Sequence, residues 1–255
     1  MEHAIYINKI SDIKFIEKGK FERIYFGNEF CERIIPSDKD VIKILDFADD
    51  RGMNFTFVTP WSTDKGIKSI KKILPTLPKN TEVIFNDWGV FRIIKKYRLK
   101  PTMGRLLVTT RRDPAISQAN PHINFLKSSN LKNNTFQNFL IENLIERVEI
   151  DNVIQEHDFC LNKKIKASLY YPFVYIASGK KCIAANCGGL PNKRIMVTKE
   201  CNIDCSKYIL TAKINGLKER VIIKGNTCFY RNKNKPSNIN HKDIDRMVYM
   251  PKIPL

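Results

Sequence analysis

Cys182, Cys187, Cys201 and Cys205 lie in one late stretch with the spacing C-x4-C-x13-C-x3-C, and they make up four of the chain's seven cysteines. Thiolate is a soft donor that suits zinc and iron–sulfur clusters when several can converge. A lone thiol such as Cys160 or Cys228 is ordinarily a small buried hydrophobe. Four thiols in a segment that also carries Lys180, Lys181, Gly188 and Gly189 need another explanation. The C-x3-C pair fits a zinc module, whereas C-x4-C is wider than the usual C-x2-C knuckle. An iron–sulfur cluster would instead take thiolates from a loop together with a more distant residue. Spacing alone leaves zinc and iron open.

Other side chains could contact a substrate. Asn86 and Asp87 follow a strand expected over 82–85, at the end where parallel barrels place their chemistry; an Asx-type cap on the next helix is the competing reading. Arg105, Arg111 and Arg112 could hold a carboxylate or phosphate through paired hydrogen bonds. Arg105, read as part of a strand over 103–108, needs a buried anionic partner, while Arg111 and Arg112 suit a solvated loop. His3, His122, His157 and His241 show no metal-ligand spacing. No G-x-S-x-G or H-E-x-x-H occurs, so no motif supports hydrolysis, and no G-x-G-x-x-G or P-loop follows a strand.

The elements that must position these residues alternate. Residues 22–27 read as a buried strand stopping at Gly27, with Cys31 just past its end. Ser37 caps an expected helix carrying Val41, Ile42, Leu45 and Ala48. Residues 54–59 and 82–85 read as strands, each followed by a helix, over 64–74 and on to Tyr97. Residues 109–134, with Pro114 and Pro121, read as an extended surface connection, followed by a helix from Phe136 towards Arg147. Strands are expected at 148–153 and 167–176, then short antiparallel strands around Gly216 and Gly225. Residues 232–240 read as a polar, mobile segment. The alternation implies an α/β fold of parallel strands joined by right-handed crossovers, in a (β/α) barrel-like arrangement, complete or incomplete. Residues 1–210 form the expected barrel domain, including the cysteine-rich late loop, and 211–255 a C-terminal antiparallel β extension packed on it.

The 255 residues and 43 % hydrophobic content suffice for one sizeable core. No run approaches the roughly 18 apolar residues of a membrane helix, so a soluble, cytoplasmic protein without membrane insertion is expected. An odd, unevenly placed set of cysteines in a reducing compartment argues against a disulfide framework. The formal charge of +18 raises RNA as a partner. Yet Lys outnumbers Arg, and Ile and Asn abound, as A/T-rich codon usage alone would give.

Ile24–Cys31, Glu82–Gly89, Gly104–Leu107 and the run from Lys181-Cys182 to Cys201-Asn-Ile-Asp-Cys205 together resemble the collagenase-like peptidase family, the U thirty-two family, and most closely its short UbiV-type members. The resemblance spans roughly residues 20 to 210. It implies a TIM-barrel-like fold and an oxygen-sensitive [4Fe-4S] cluster with one ligand just after the first strand and three late in the chain. On this sequence those positions are Cys31, Cys182, Cys201 and Cys205. Cys187 is the alternative ligand; Cys182 is preferred because it follows a strand and a Gly-Lys-Lys turn, as in the family. The resemblance further implies oxygen-independent hydroxylation or a related redox modification, a small anionic substrate, and a paralogous protein as heterodimer partner. Relatives hydroxylate ubiquinone precursors or RNA bases with prephenate as oxygen donor. Two other readings stand beside it: a metal-stabilised RNA-binding or RNA-modification module, with zinc as the alternative cofactor, and a metal-dependent peptidase resting on the family name alone.

Overall fold

The computed structural model describes residues 1–115, 122–186, 201–215, 217–234 and 242–255. Seven strands come first: β1 (Glu2–Ile7), β2 (Arg23–Gly27), β3 (Asn54–Val58), β4 (Glu82–Phe85), β5 (Lys100–Met103), β6 (Arg147–Asp151) and β7 (Lys166–Tyr171). Four more, β8 (Phe173–Ser178), β9 (Leu210–Ala212), β10 (Val221–Lys224) and β11 (Thr227–Arg231), form a separate antiparallel sheet in the order β8-β11-β10-β9. The last strand, β12 (Ile244–Tyr249), returns to the first sheet and pairs in parallel with both β7 and β1, closing an eight-stranded parallel barrel. The helices are α1 (Ile13–Ile16), α2 (Asp38–Asp49), α3 (Asp64–Ile73), α4 (Trp88–Ile94), α5 (Ile123–Leu126), α6 (Asn134–Glu142) and α7 (Ile183–Asn186). The result is the expected TIM-barrel-like α/β fold, and the barrel is complete.

Several expectations are corrected. The strand at Arg23–Gly27 is second in the barrel, because Glu2–Ile7 precedes it. Residues 167–176 do not make one strand: β7 ends at Tyr171 and β8 starts at Phe173 in the other sheet. Pro172 stands between them, and without an N–H it cannot continue a ladder. The antiparallel sheet is therefore an insertion between the seventh and eighth barrel strands, not a terminal extension, and 244–249 belongs to the barrel. The strand expected over 103–108 ends at Met103, and Arg105–Leu107 forms a 3₁₀ turn. On α2 the buried face is Val41, Ile44 and Ala48, spaced i, i+3, i+7, and Ile42 is exposed; Ser37 does cap it, accepting from the Asp40 N–H. The polar segment over 232–240 and the Gly216 turn fall partly or wholly outside the described residues.

The pleat sorts the strand residues into two layers. Outward-facing Phe26, Phe57, Phe85, Ile150 and Leu169 pack with Val41, Ile44, Ile70, Val90 and Leu140 of the helices. The inward face is partly apolar, with Ala4, Tyr6, Tyr25, Val58, Ile84, Tyr170 and Val248. Towards the N-terminal ends of the strands it is ionic. Arg246 bonds Glu2, Glu82 (2.7 Å) and the Tyr25 hydroxyl (2.6 Å), Arg23 bonds Glu2 (2.8 Å), and Arg147 pairs with Asp245 (2.6 Å). Burial opposes the charge on Glu82, but Arg246, Arg23 and Arg147 outweigh it and hold its carboxyl below the usual range. Glu149, in the same interior, is pushed up to about 8 by burial and then by the charge of Glu82. Ionised and protonated carboxylates thus sit side by side.

Candidate functional site

At the C-terminal ends of the barrel strands the loops build a charged ceiling and, beside it, a cleft lined with thiols. The ceiling begins at Gly27, whose φ is +139° and whose added Cβ would lie 2.0 Å from the Val58 carbonyl oxygen. Only glycine fits so close a crossing, and it turns the chain across the barrel top. Glu29 follows, fully buried, and meets Arg105 through Oε2–Nη2 at 2.6 Å and both oxygens on Nε at 3.1 Å. Asp151, at the end of β6, takes Arg105 Nη1 and Arg112 Nε, each at 2.6 Å. The Arg105 guanidinium lies 4.3 Å from the ring centre of Tyr170, and that of Arg112 lies 4.2 Å from Tyr175. Burial works against the charge on Arg105, but Glu29 and Asp151 outweigh it and keep the guanidinium ionised. The buried anionic partner required by Arg105 is thus present.

Cys31, Cys182, Cys201 and Cys205 line one cleft, together with Arg33, Lys180 and Asn226. Three parts of the chain deliver them. Cys31 follows β2 and is held by its N–H donating to Asn28 Oδ1 at 2.8 Å; the Phe30 N–H uses the same oxygen at 3.0 Å. Phe30 is fully buried against Tyr175, Phe229 and Leu255. Cys182 opens the short turn α7, where its sulfur accepts from the Ala185 N–H at 3.5 Å. Cys201 precedes a 3₁₀ turn, Asp204–Ser206, that contains Cys205, and Cys205 packs against Gly225, where a Cβ would lie 3.3 Å from its own. Gly225 has φ of +61°, so glycine serves both the β10–β11 turn and the close approach.

Asn226 locks these parts together. Its amide donates to the Phe30 carbonyl at 2.7 Å and to the Gly179 carbonyl at 2.8 Å, joining the Cys31 loop to the end of β8 just before Cys182. Nothing in the sequence marks this residue beyond a Gly-Asn turn, and its partner Phe30 is 196 positions away. Burial pushes the Cys31 thiol up to about 11, and it also raises Cys182 and Cys205. These thiols are protonated near neutrality, so ligation displaces protons. Arg33 and Lys180 in the lining, and the nearby Lys224 and Lys9, would offset the negative charge of thiolates formed there. Among the described residues no three His, Cys, Asp or Glu side chains are gathered tightly enough, as they stand, to hold a single metal ion.

A neighbouring cavity of about 400 Å³ shares Cys201 and Arg33 with the cleft and is also bounded by Lys65 and Ser69. Cys160 is exposed and Cys228 half-buried, and neither lines the cleft; Cys187 lies outside the described residues. Asp87 caps α4, accepting from the Gly89 N–H at 2.7 Å and the Val90 N–H at 3.4 Å. Asn86 bridges loops, donating to the Thr59 carbonyl at 2.9 Å and accepting from the Leu106 N–H at 3.1 Å. Arg105 has all three guanidinium nitrogens engaged within the ceiling. Arg112, expected on a solvated loop, is buried on Asp151. No helix among the described residues is long and apolar enough to cross a membrane.

No protein-family model matches the chain, and no curated protein does. Among solved structures, a glycoside hydrolase family 18 N-acetylglucosaminidase from Paenibacillus barengoltzii is similar over 97% of this chain and 94% of that chain, at 7% identity and a TM-score of 0.33.

Proposed function

We propose that the chain is an iron–sulfur protein in which Cys31, Cys182, Cys201 and Cys205 hold a [4Fe-4S] cluster, and that it takes part in oxygen-independent hydroxylation or a related redox modification. The observation that carries this reading is the convergence of four thiols, one of them from a loop 151 positions before the next, on a single cleft with cationic walls. The donor set is all sulfur, as such a cluster requires. A single zinc ion with Zn–S near 2.3 Å would draw four sulfurs to within about 3.8 Å of one another. A cubane instead spreads its four thiolates over four irons, so metal analysis separates the two. When bound, the cluster supplies one-electron chemistry.

The residues of the chain itself have separable tasks in this reading. Asn28 and Asn226 hold the Cys31 loop, and Arg33 and Lys180 balance charge. Arg33 and Lys65, at the cavity beside Cys201, would attract a small anionic substrate, with Glu32 of the same lining occupied by the Thr63 N–H and hydroxyl. A paralogous partner has a natural landing edge in β9, the last strand of its sheet, where Leu210 and, just before the strand, Tyr208 and Ile209 are exposed.

Anaerobic purification followed by iron, sulfide and zinc analysis tests the proposal. About four irons per chain are expected, and Cys31→Ala should lose them. Stoichiometric zinc without iron would defeat the cluster reading, and full iron retention in Cys31→Ala would transfer the fourth ligand to Cys187.

A further inference from the structure

The end of the barrel away from the thiols holds the larger cavity, about 590 Å³, bounded by the starting residues of β2 to β7 and by Arg246 of β12. Seven of its lining residues are cationic and three are acidic. The cations fall into two tiers. Arg23, Arg147 and Arg246 form the floor and are held by neighbours: Arg23 by Glu2 and by Thr56 Oγ1 at 3.0 Å, Arg246 by Glu2, Glu82 and Tyr25, and Arg147 by Asp245. Arg23 Nη2 and Arg246 Nη2 bond no described residue. Both residues line the cavity, and each keeps one guanidinium nitrogen free of described partners. Lys79, Lys100, Lys164 and Lys166 form the rim, and none of them makes an ion pair with a described residue.

A structural explanation accounts for the floor alone. Its arginines are matched by Glu2, Glu82 and Asp245, an arrangement that stabilises a barrel interior. It leaves unexplained four lysines gathered around a concave opening where only Asp49 and Glu146 stand against them, neither within ion-pairing distance of a described lysine, since like charges so placed repel one another. We propose that this N-terminal mouth binds a small phosphate-bearing anion, with the spare Arg23 and Arg246 donors on its oxygens and the four lysines closing around it. Fixed guanidinium donors match phosphate oxygens geometrically, and lysines add mobile point charge. The volume is that of a small-molecule site. Its position, ringed by strand starts, suits a compact ligand better than a nucleic-acid strand. The site is independent of the cysteine cleft and of any metal bound there.

The test is calorimetric titration of the full-length chain at about 0.15 M salt, where screening acts over about 8 Å. The probes are inorganic pyrophosphate and, in parallel, glucose 6-phosphate. Saturable binding of one ligand per chain is expected for at least one probe, and tighter binding of the sugar phosphate would identify an organic phosphate as the natural class. Lys79→Glu/Lys164→Glu, at two exposed positions, should weaken binding at least tenfold, with Lys100→Glu as the second variant should the first not fold. Lys39→Glu/Lys213→Glu, which makes the same charge change away from the mouth, should leave it unchanged. No saturable binding of either probe would overturn the proposal. So would an equal loss in the remote variant, or binding confined to an RNA oligonucleotide.

Discussion

Arg105 joins two carboxylates that come from opposite sides of the barrel, and it does so with no exposed surface. Burying three charges is unfavourable unless every one is paired and hydrogen-bonded. Here each is: Glu29 takes two nitrogens, Asp151 is shared with Arg112, and Tyr175 donates to the Arg105 carbonyl at 3.0 Å. Removing the guanidinium would leave Glu29 desolvated and unmatched and Asp151 with Arg112 alone. Arg105→Met should therefore cost about 3–5 kcal/mol in urea unfolding. Adding Glu29→Gln to it should recover part of that loss, because the second change removes an orphaned charge. A cost below about 1 kcal/mol would show that water reaches the network and that the ceiling is not sealed.

At the scale of elements, the cysteine cleft depends on how the β10–β11 turn reaches back to the loop after β2. Asn226 makes that connection with one amide and two carbonyls. Under the iron–sulfur reading, Asn226→Leu should retain less than half the iron of the parent after anaerobic purification while melting within a few degrees of it. Undiminished iron would show that the loops hold their places without it. The alternation of strands and helices was readable because each early unit, such as Asn54–Val58 followed by Asp64–Ile73, is local and carries its own turn residues. The ligand candidates were readable from spacing and resemblance, and the cleft brings all four to one place. What escaped was non-local. Pro172 divides one apolar run between two sheets, a choice that depends on β11 and β12 more than fifty residues later. Arg147-Val-Glu-Ile-Asp151 alternates like a strand with a solvated face, yet its charged side points into the barrel, where Asp151 finds Arg105 and Arg112 and Glu149 finds Tyr25.

For the whole molecule, that charged interior sets a pH dependence. Glu149 is pushed up to about 8 in the folded chain from an ordinary value of 4.5. A carboxyl raised on folding holds its proton more tightly in the native state, so its contribution is full below about pH 4.5 and declines as pH rises towards 8. The decline is about 1.4 kcal/mol per pH unit within that window, a few kcal/mol in all. Glu149→Gln should flatten the stability profile between pH 5 and 8, making the variant the more stable protein at pH 8. Parallel profiles for variant and parent would mean that Glu149 is already ionised in the native barrel. The position of the insertion has a consequence in time. β1 and β12 are bonded neighbours, with Arg246 on Glu2 across 244 positions, and the antiparallel sheet lies in the chain between them. During synthesis, seven strands must wait with one open seam while the whole thiol-bearing insertion emerges from the ribosome. The eighth strand then arrives last, so barrel closure is a late event, slow by its contact order, and any cofactor captured by the insertion could be in place before the seam shuts.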